Sequence, residues 1–387
     1  MNTILSFIDA PADFKPWTDW RLPENRLEAF RRVAYTRMME GDLDHHHTAK
    51  VIVDMMNLSD DNKVLYCLLF GQSYRNHWAM IILQTFPDLL AVPQADLQAW
   101  HDANWQRSFY GKDCKWGVRK FPQFVQSIRE QLNGKSPYEY YSKLVKSADI
   151  RNNFNWLNQR IRNLYGMGRM TSWLAQQTFY ELFHWNIDYW DLQLHDDTWS
   201  QYDSLCYLFN REDLAYDKSK KTYDSVTQME NNCLYLMNYV NKDSPIHMDI
   251  YNIESCLCEY RKTAAPRRKP KEFTFWTSTE LAMQFQKIAE AWPDIDWIPY
   301  IVGMMCKGPN VRKYLFSEEY FRVIYDHGLN LNTHHYFDDE PDAFQILSLP
   351  KPIPSSIKYL FDRWNEIPQN YQNEFIEKYD PTLMVRL

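Results

Sequence analysis

The chain has 387 residues, 45% of them hydrophobic and 24% charged, with a formal net charge of −7 and a pI near 5.9. That length suffices for one large core or two domains, and the acidic balance excludes a general polyanion binder, leaving any nucleic-acid contact to local basic patches. Only 10 glycines and no GxxxxGK[ST] motif argue against a nucleotide-binding loop. Seven cysteines (Cys67, Cys114, Cys206, Cys233, Cys256, Cys258 and Cys306), an odd number without a Cys-x-x-Cys pair, argue against a disulfide framework or a structural zinc site. The opening stretch MNTILSFIDAPADFKPW lacks a basic n-region and a long apolar run. No segment approaches the roughly 18 apolar residues of a membrane span, so the expectation is a cytoplasmic protein with no membrane contact.

Apolar spacing predicts a mostly α protein, because most segments show helical periodicity and none shows a series of alternating strands. Residues 23–40 read as a helix with Pro near its start and Leu27, Phe30, Ala34 and Met38 on one face. Further helices are expected over 48–57, 60–86, 96–104 and 122–133, followed by a break at Asn133-Gly134-Lys135-Ser136-Pro137. Periodicity then returns over 155–164, 170–183, 226–241 and 251–262, with a charged, solvated stretch at 210–225. The basic, Pro-containing segment 263–273 is the best domain boundary, dividing a region 1–265 from a C-terminal helical region 266–387 with helices over 277–292, 317–326, 355–365 and 369–378.

The most informative stretch is 160–188, RIRNLYGMGRMTSWLAQQTFYELFHWNID. Trp156, Leu157, Ile161 and Leu164 form a helical stripe, Gly166 and Gly168 supply the backbone freedom of a tight turn, and a second apolar-periodic run follows without Pro or Gly. This is the pattern of a helix-hairpin-helix, whose backbone N–H groups can grip a nucleic-acid phosphate at a helix N-terminus. The same turn also serves as a plain connection in other α proteins. Arg151, Arg160, Arg162 and Arg169 favour phosphate contact, although each could instead cap or pair within the helices. Gly166, Met167, Gly168, Arg169, Arg160 and Arg162 are therefore the candidate DNA-binding residues. Asp188 lies twenty residues after Gly168, where DNA glycosylases built on this motif carry their catalytic aspartate. Met170 occupies the position of the Schiff-base lysine in some of those enzymes, which excludes lyase chemistry here.

Other constellations are weaker. Arg261, Lys262, Arg267, Arg268, Lys269 and Lys271 form the densest positive patch, suited to DNA backbone or substrate phosphate, or else a solvated loop. Cys256 and Cys258 read as core residues, with nucleophilic activation by Arg261 or Lys262 as the alternative. Consecutive histidines at His45, His46 and His47 point apart, so no metal site is expected.

Four stretches, ENRLEAFRR, CLLFGQSYRNHWAMIILQTFPDL, FYGKDCKWGVRKFPQFVQSIREQL and the pair GMGRMTSWLAQQ with IESCLCEYRK, occur in an order and spacing that resemble one family. From about Trp17 to Lys262 the chain is similar to the amino acid:DNA transferases, or α-glutamyl/putrescinyl-thymine pyrophosphorylases, of bacteriophage thymine hypermodification. The resemblance implies a helix-hairpin-helix glycosylase-like core. It also implies double-stranded DNA carrying pyrophosphorylated 5-hydroxymethyluracil as substrate, a free amino acid of the glycine or serine class as co-substrate, and action in the cytoplasm of a bacterial host. No cofactor is expected, because activation resides in the pyrophosphate leaving group. Such chemistry needs cations for the leaving group, for which Arg169, Arg261 and Lys262 are candidates, and a carboxylate base, Asp188 or Glu254. It also needs a pocket for an extruded base, for which Tyr165, Trp173, Gln176 and Cys258 are candidates. A DNA N-glycosylase acting on a modified base and a non-enzymatic DNA-binding module remain the alternatives.

Overall fold

The computed structural model describes residues 46–107, 120–189, 191–196, 198–215, 217–242 and 247–264, with parts of 23–34 and 288–297 and position 369. Among these residues the structure is helical, with no strand. The helices are α1 (His46–Met56), α2 (Asp60–Ser73), α3 (Asn76–Thr85), α4 (Gln94–Asn104), α5 (Phe121–Leu132), α6 (Pro137–Ser142), α7 (Ile150–Arg162), α8 (Arg169–Phe183), α9 (Ser200–Leu208), α10 (Tyr223–Asn241) and α11 (Ile250–Ala264). No described helix is long and apolar enough to cross a membrane.

The helix expected over 60–86 is two helices. Tyr74 takes a left-handed conformation (φ 55°) and its N–H bonds to Phe70 O, ending α2, and Arg75 is extended before α3 begins. The Ser73 hydroxyl donates to Leu69 O and accepts from Arg75 N–H, satisfying groups that a continuous helix would have paired. Periodicity could not reveal this, because every residue from Val64 to Ser73 and from Asn76 to Leu83 is buried. A helix apolar on all sides carries no stripe to interrupt.

Two cores result. The first gathers α1–α6 with the inner faces of α7 and α8, around Trp78, Phe121 and Phe179. Trp78 meets Phe121 edge-on at 5.7 Å and Trp100 at 5.8 Å. Residues 288–297 join this core through Ile288, Trp292 and Trp297, and Arg107 donates to Ala291 O. The second core gathers α9, α10 and α11 with the described part of 26–34. There Arg26, 5% exposed, is held by Tyr207 O at 2.8 Å and Glu212 at 2.5 Å, and Phe30 meets Tyr260 edge-on. Helix α8 belongs to both cores: Ala175 and Phe179 face the first, Trp173 the second. It approaches α2 so closely that a Cβ on Gly71 would lie 2.7 Å from Ala175 Cβ and Thr171 O.

The stripe expected on α7 is corrected at one position. Leu157, Ile161 and Leu164 are buried, but Trp156 is 46% exposed, and the buried face runs instead through Asn153, Phe154, Leu157, Asn158 and Ile161. The two asparagines replace apolar residues because each binds a neighbouring element. Asn153 donates to Ser147 O and Asn186 O, and Asn158 accepts from Ser172 Oγ and Gln176 Nε2 of α8. The α7–α8 pair is thus fastened by polar bonds as well as by burial.

Candidate functional site

The turn between α7 and α8 has the local chemistry of a hairpin. Gly166 adopts φ +79°, a left-handed conformation that side chains rarely take, and a Cβ there would touch Lys120 Cδ at 3.4 Å. Gly168 has no neighbour within 4 Å of a Cβ, so its role is open approach rather than backbone strain. Its N–H donates to Thr171 Oγ1 at 2.7 Å and its carbonyl accepts from Ser172 N–H, which starts the helical ladder of α8. The N–H groups of residues 169–171 therefore open from the start of the helix. The turn is seated on α5 by the bond from Tyr165 N–H to Ser127 Oγ, and Lys120 Nζ lies 5.4 Å from the Tyr165 ring centroid.

Around this turn the expected DNA-binding residues separate into two groups. Tyr165 (48% exposed) and Met170 (52% exposed) stand outward, with exposed Arg160 and Arg162 beside them. Arg162 pairs with Asp196 at 2.6 Å, whereas the Arg160 guanidinium has no hydrogen-bond or ion-pair partner among the described residues. Met167 leans on the first core. Arg169 turns inward, donating from Nη2 to Leu192 O at 2.9 Å, with its Cζ 5.7 Å from the Trp173 ring. Burial pulls its pKa down, and Glu254, Asp196 and Asp191 act in the opposite sense.

The inward residues line a seam where α8 crosses α11. Tyr251 of α11 meets Trp173 at 5.2 Å and Tyr180 at 5.3 Å, accepts from Gln177 Nε2 through its carbonyl, and donates its hydroxyl to Ile187 O. Arg169, Trp173, Gln177 and Tyr180 recur at helical spacing, so one face of α8 forms one wall. Trp173 is 2% exposed and belongs to the second core, and Gln176, wholly buried, faces away from the seam and donates to Asn158 of α7. Cys258 is half-buried and Cys256 buried on α11.

The seam has acids at both ends. Asp188 accepts from Ile250 N–H at 3.4 Å, at the start of α11, and burial raises its carboxyl while His247 and that bond lower it. It acts on Tyr180, eleven residues along α8 from Arg169, or about 16 Å at the helical rise. Glu254, one turn further along α11, accepts from Gln201 Nε2 at 2.5 Å and lies within electrostatic reach of Arg169. The structure thus brings Arg169, Trp173 and Glu254 together and sets Asp188 toward the far end. Arg261 and Lys262 follow on the same helix, but their side chains lie outside the described residues, as do Arg267, Arg268, Lys269 and Lys271, the side chains of His45–His47 and the helices expected beyond 297.

Sequence reasoning missed Asp191 and Glu230. The segment after α8 runs back beside that helix, so Leu192 meets Arg169 twenty-three residues earlier in the chain. Asp191, which accepts from Gln193 N–H at 2.7 Å, shares a hydrogen bond with Glu230 of α10. The Glu230 side chain is only 13% exposed, and its Oε2 lies 3.3 Å from His195 Nε2. Burial first, and the Asp191 charge second, push the Glu230 carboxyl up to about 7. The sequence signal was faint: a lone acid inside the α10 periodicity, next to buried Met229 and one helical turn from buried Cys233.

A family model described as amino acid:DNA transferase matches residues 40–269, more than half of the chain. A curated relative, "Serinyltransferase" of Salmonella phage ViI, is 20% identical over 229 residues, covering 56% of this chain and 55% of the relative. The chain therefore spans about half the length of that relative. No solved structure matches.

Proposed function

The chain belongs to the amino acid:DNA transferase family, and from that premise we propose that it attaches an amino acid to a thymine-derived base in DNA. The substrate we assign is 5-hydroxymethyluracil already pyrophosphorylated in duplex DNA. The amine nitrogen attacks the base methylene carbon, the carbon–oxygen bond to pyrophosphate breaks, and the amine proton passes to a carboxylate. Of the two bases expected from the sequence we assign Glu254, because it lies within electrostatic reach of Arg169 at the hairpin end of α8. Asp188, bonded to Ile250 N–H, is assigned to holding the start of α11.

DNA is held at the outer face of the hairpin. Gly166 and Gly168 allow close approach of a phosphate to the opening N–H groups of α8, Arg160 supplies an unengaged guanidinium, and exposed Tyr165 supplies a stacking surface. The observation that carries this reading is the division of the hairpin, with the exposed Arg160 and Arg162 of α7, Tyr165 and Met170 outside and a seam of acids with Arg169 behind them. The group leaving as pyrophosphate calls for cations, and Arg261 and Lys262 are the residues we assign to it.

Incubation of the protein with DNA bearing the pyrophosphorylated base, with and without amino acids, followed by nucleoside mass analysis, tests the proposal. An amino acid adduct formed only in the complete mixture is the expected outcome. Abasic sites would replace the reading with a glycosylase, and binding without product would leave a DNA-binding module.

A further inference from the structure

The hairpin end of the seam holds two groups that each lack a counterpart. Arg169 Nε is buried without a hydrogen-bond partner, and Leu192 O is the single acceptor its guanidinium meets among the described residues. One turn along α8, Trp173 Nε1 is also buried without a hydrogen-bond partner among the described residues. Both are donors, so their complement is an acceptor, and planar guanidinium suits a carboxylate. Among the described residues the nearby acids are engaged elsewhere: Asp196 is paired with Arg162, Glu254 accepts from Gln201, and Asp191 faces Glu230.

The second group is the Asp191–Glu230 pair. Glu230 Oε1 is buried with no donor among the described residues, and two carboxylates in contact demand either a shared proton or a cation. His195 reaches only the other Glu230 oxygen. Asp191 also acts electrostatically on Arg169, and the neighbouring residue Leu192 is the one Arg169 binds, so the vacant donors and the vacant acceptors share one small region.

We propose that this region is the receptor for the free amino acid, with Arg169 and the Trp173 indole N–H taking its α-carboxylate and the Asp191–Glu230 pair taking its α-ammonium. The inference rests on the transferase reading above and adds where the co-substrate sits. Charge separates it from a leaving-group site. Pyrophosphate would satisfy Arg169 but would be set against Asp191, Asp196, Glu230 and Glu254, whereas a zwitterion presents one charge of each sign. The ammonium replaces the shared proton, so binding releases a proton near neutral pH.

Saturation-transfer NMR on the full chain, with and without unmodified duplex DNA, tests the site with glycine and serine as probes. Glycolate and glycinamide serve as one-charge analogues, and inorganic pyrophosphate as competitor. The expected result is binding of the intact amino acids, at least ten-fold weaker in R169Q and in E230Q, with neither analogue competing. Unchanged amino acid binding in both variants, equal binding of glycolate, displacement by pyrophosphate at comparable concentration, or no saturation of any amino acid would each overturn the site. Melting curves accompany the variants, and should R169Q fail to fold, the near-isosteric E230Q decides. Adduct formation is read separately. Adduct with unaltered amino acid affinity in the variants removes this site and leaves the transferase reading intact, whereas amino acid binding without adduct removes the transferase reading.

Discussion

The outer face of the hairpin and the seam behind it are built from one short stretch of chain and behave oppositely. Outside, Tyr165 and Met170 are about half exposed and the Arg160 guanidinium has no partner among the described residues, so the surface is open to any backbone that approaches. Inside, Arg169 Nε and Trp173 Nε1 are buried with no acceptor among the described residues, and Arg169 lies within electrostatic reach of Glu254, Asp196 and Asp191. The contrast teaches that gripping and chemistry can be divided between consecutive residues of one helix start. Met170 points out and Arg169 points in, because side chains one position apart on a helix differ by about 100° in direction.

The largest effect expected is on the seam. Glu254→Gln should lower the rate of transfer by about 10²–10⁴-fold and leave DNA affinity unchanged. Asp188→Asn, which still accepts from Ile250 N–H, should cost far less. Single-turnover rates for the two variants check this, and a larger loss in the Asp188 variant would move the chemistry to the far end of α8. Next comes the scaffold that holds both faces. Gly71→Ala forces a Cβ to within 2.7 Å of the α8 backbone and should destabilise the protein by about 1–3 kcal/mol, measured by urea unfolding.

A smaller effect is expected on the outer face. Arg160→Gln should weaken DNA binding equally across sequences and reduce the slope of log K against log salt by about 1, without changing amino acid affinity. A loss that depends on sequence would show base readout instead of backbone grip. The smallest effect concerns pH. Glu230 titrates near 7 in the folded chain, against 4.5 for the unperturbed side chain, so folding takes up a proton between these values. Its contribution to stability is greatest below about 4.5, falls as pH rises toward 7, and is flat above. Glu230→Gln lacks that dependence, so its melting temperature relative to the wild type should climb between pH 5 and pH 8. Asp191, His195, Cys233 and Tyr189 surround the group, and a difference that does not change with pH would show that they carry the titration.

Much of this organisation was legible from local pattern. The α7–turn–α8 hairpin, the backbone freedom needed at Gly166 and the helices expected over 226–241 and 251–262 follow from spacing and from glycine placement, which act over a few residues. The break at Tyr74 was not legible, because α2 and α3 are buried on all sides and periodicity marks only helices with a wet face. Nor was the exposure of Trp156, which gives way to Asn153 and Asn158 because those amides find partners on other elements.

The amino-acid order by itself determined a helical protein with a glycine hairpin, basic residues around it and acids downstream. Those properties depend on neighbours within a turn or two, where propensity and periodicity act. Tertiary structure alone decided that Arg169 faces inward, that Leu192 returns to meet it, and that Asp191 contacts Glu230 from thirty-nine positions away. The reason is that such meetings are set by how α8, α10 and α11 stack around two cores, and no spacing along the chain encodes the direction from which a distant helix arrives.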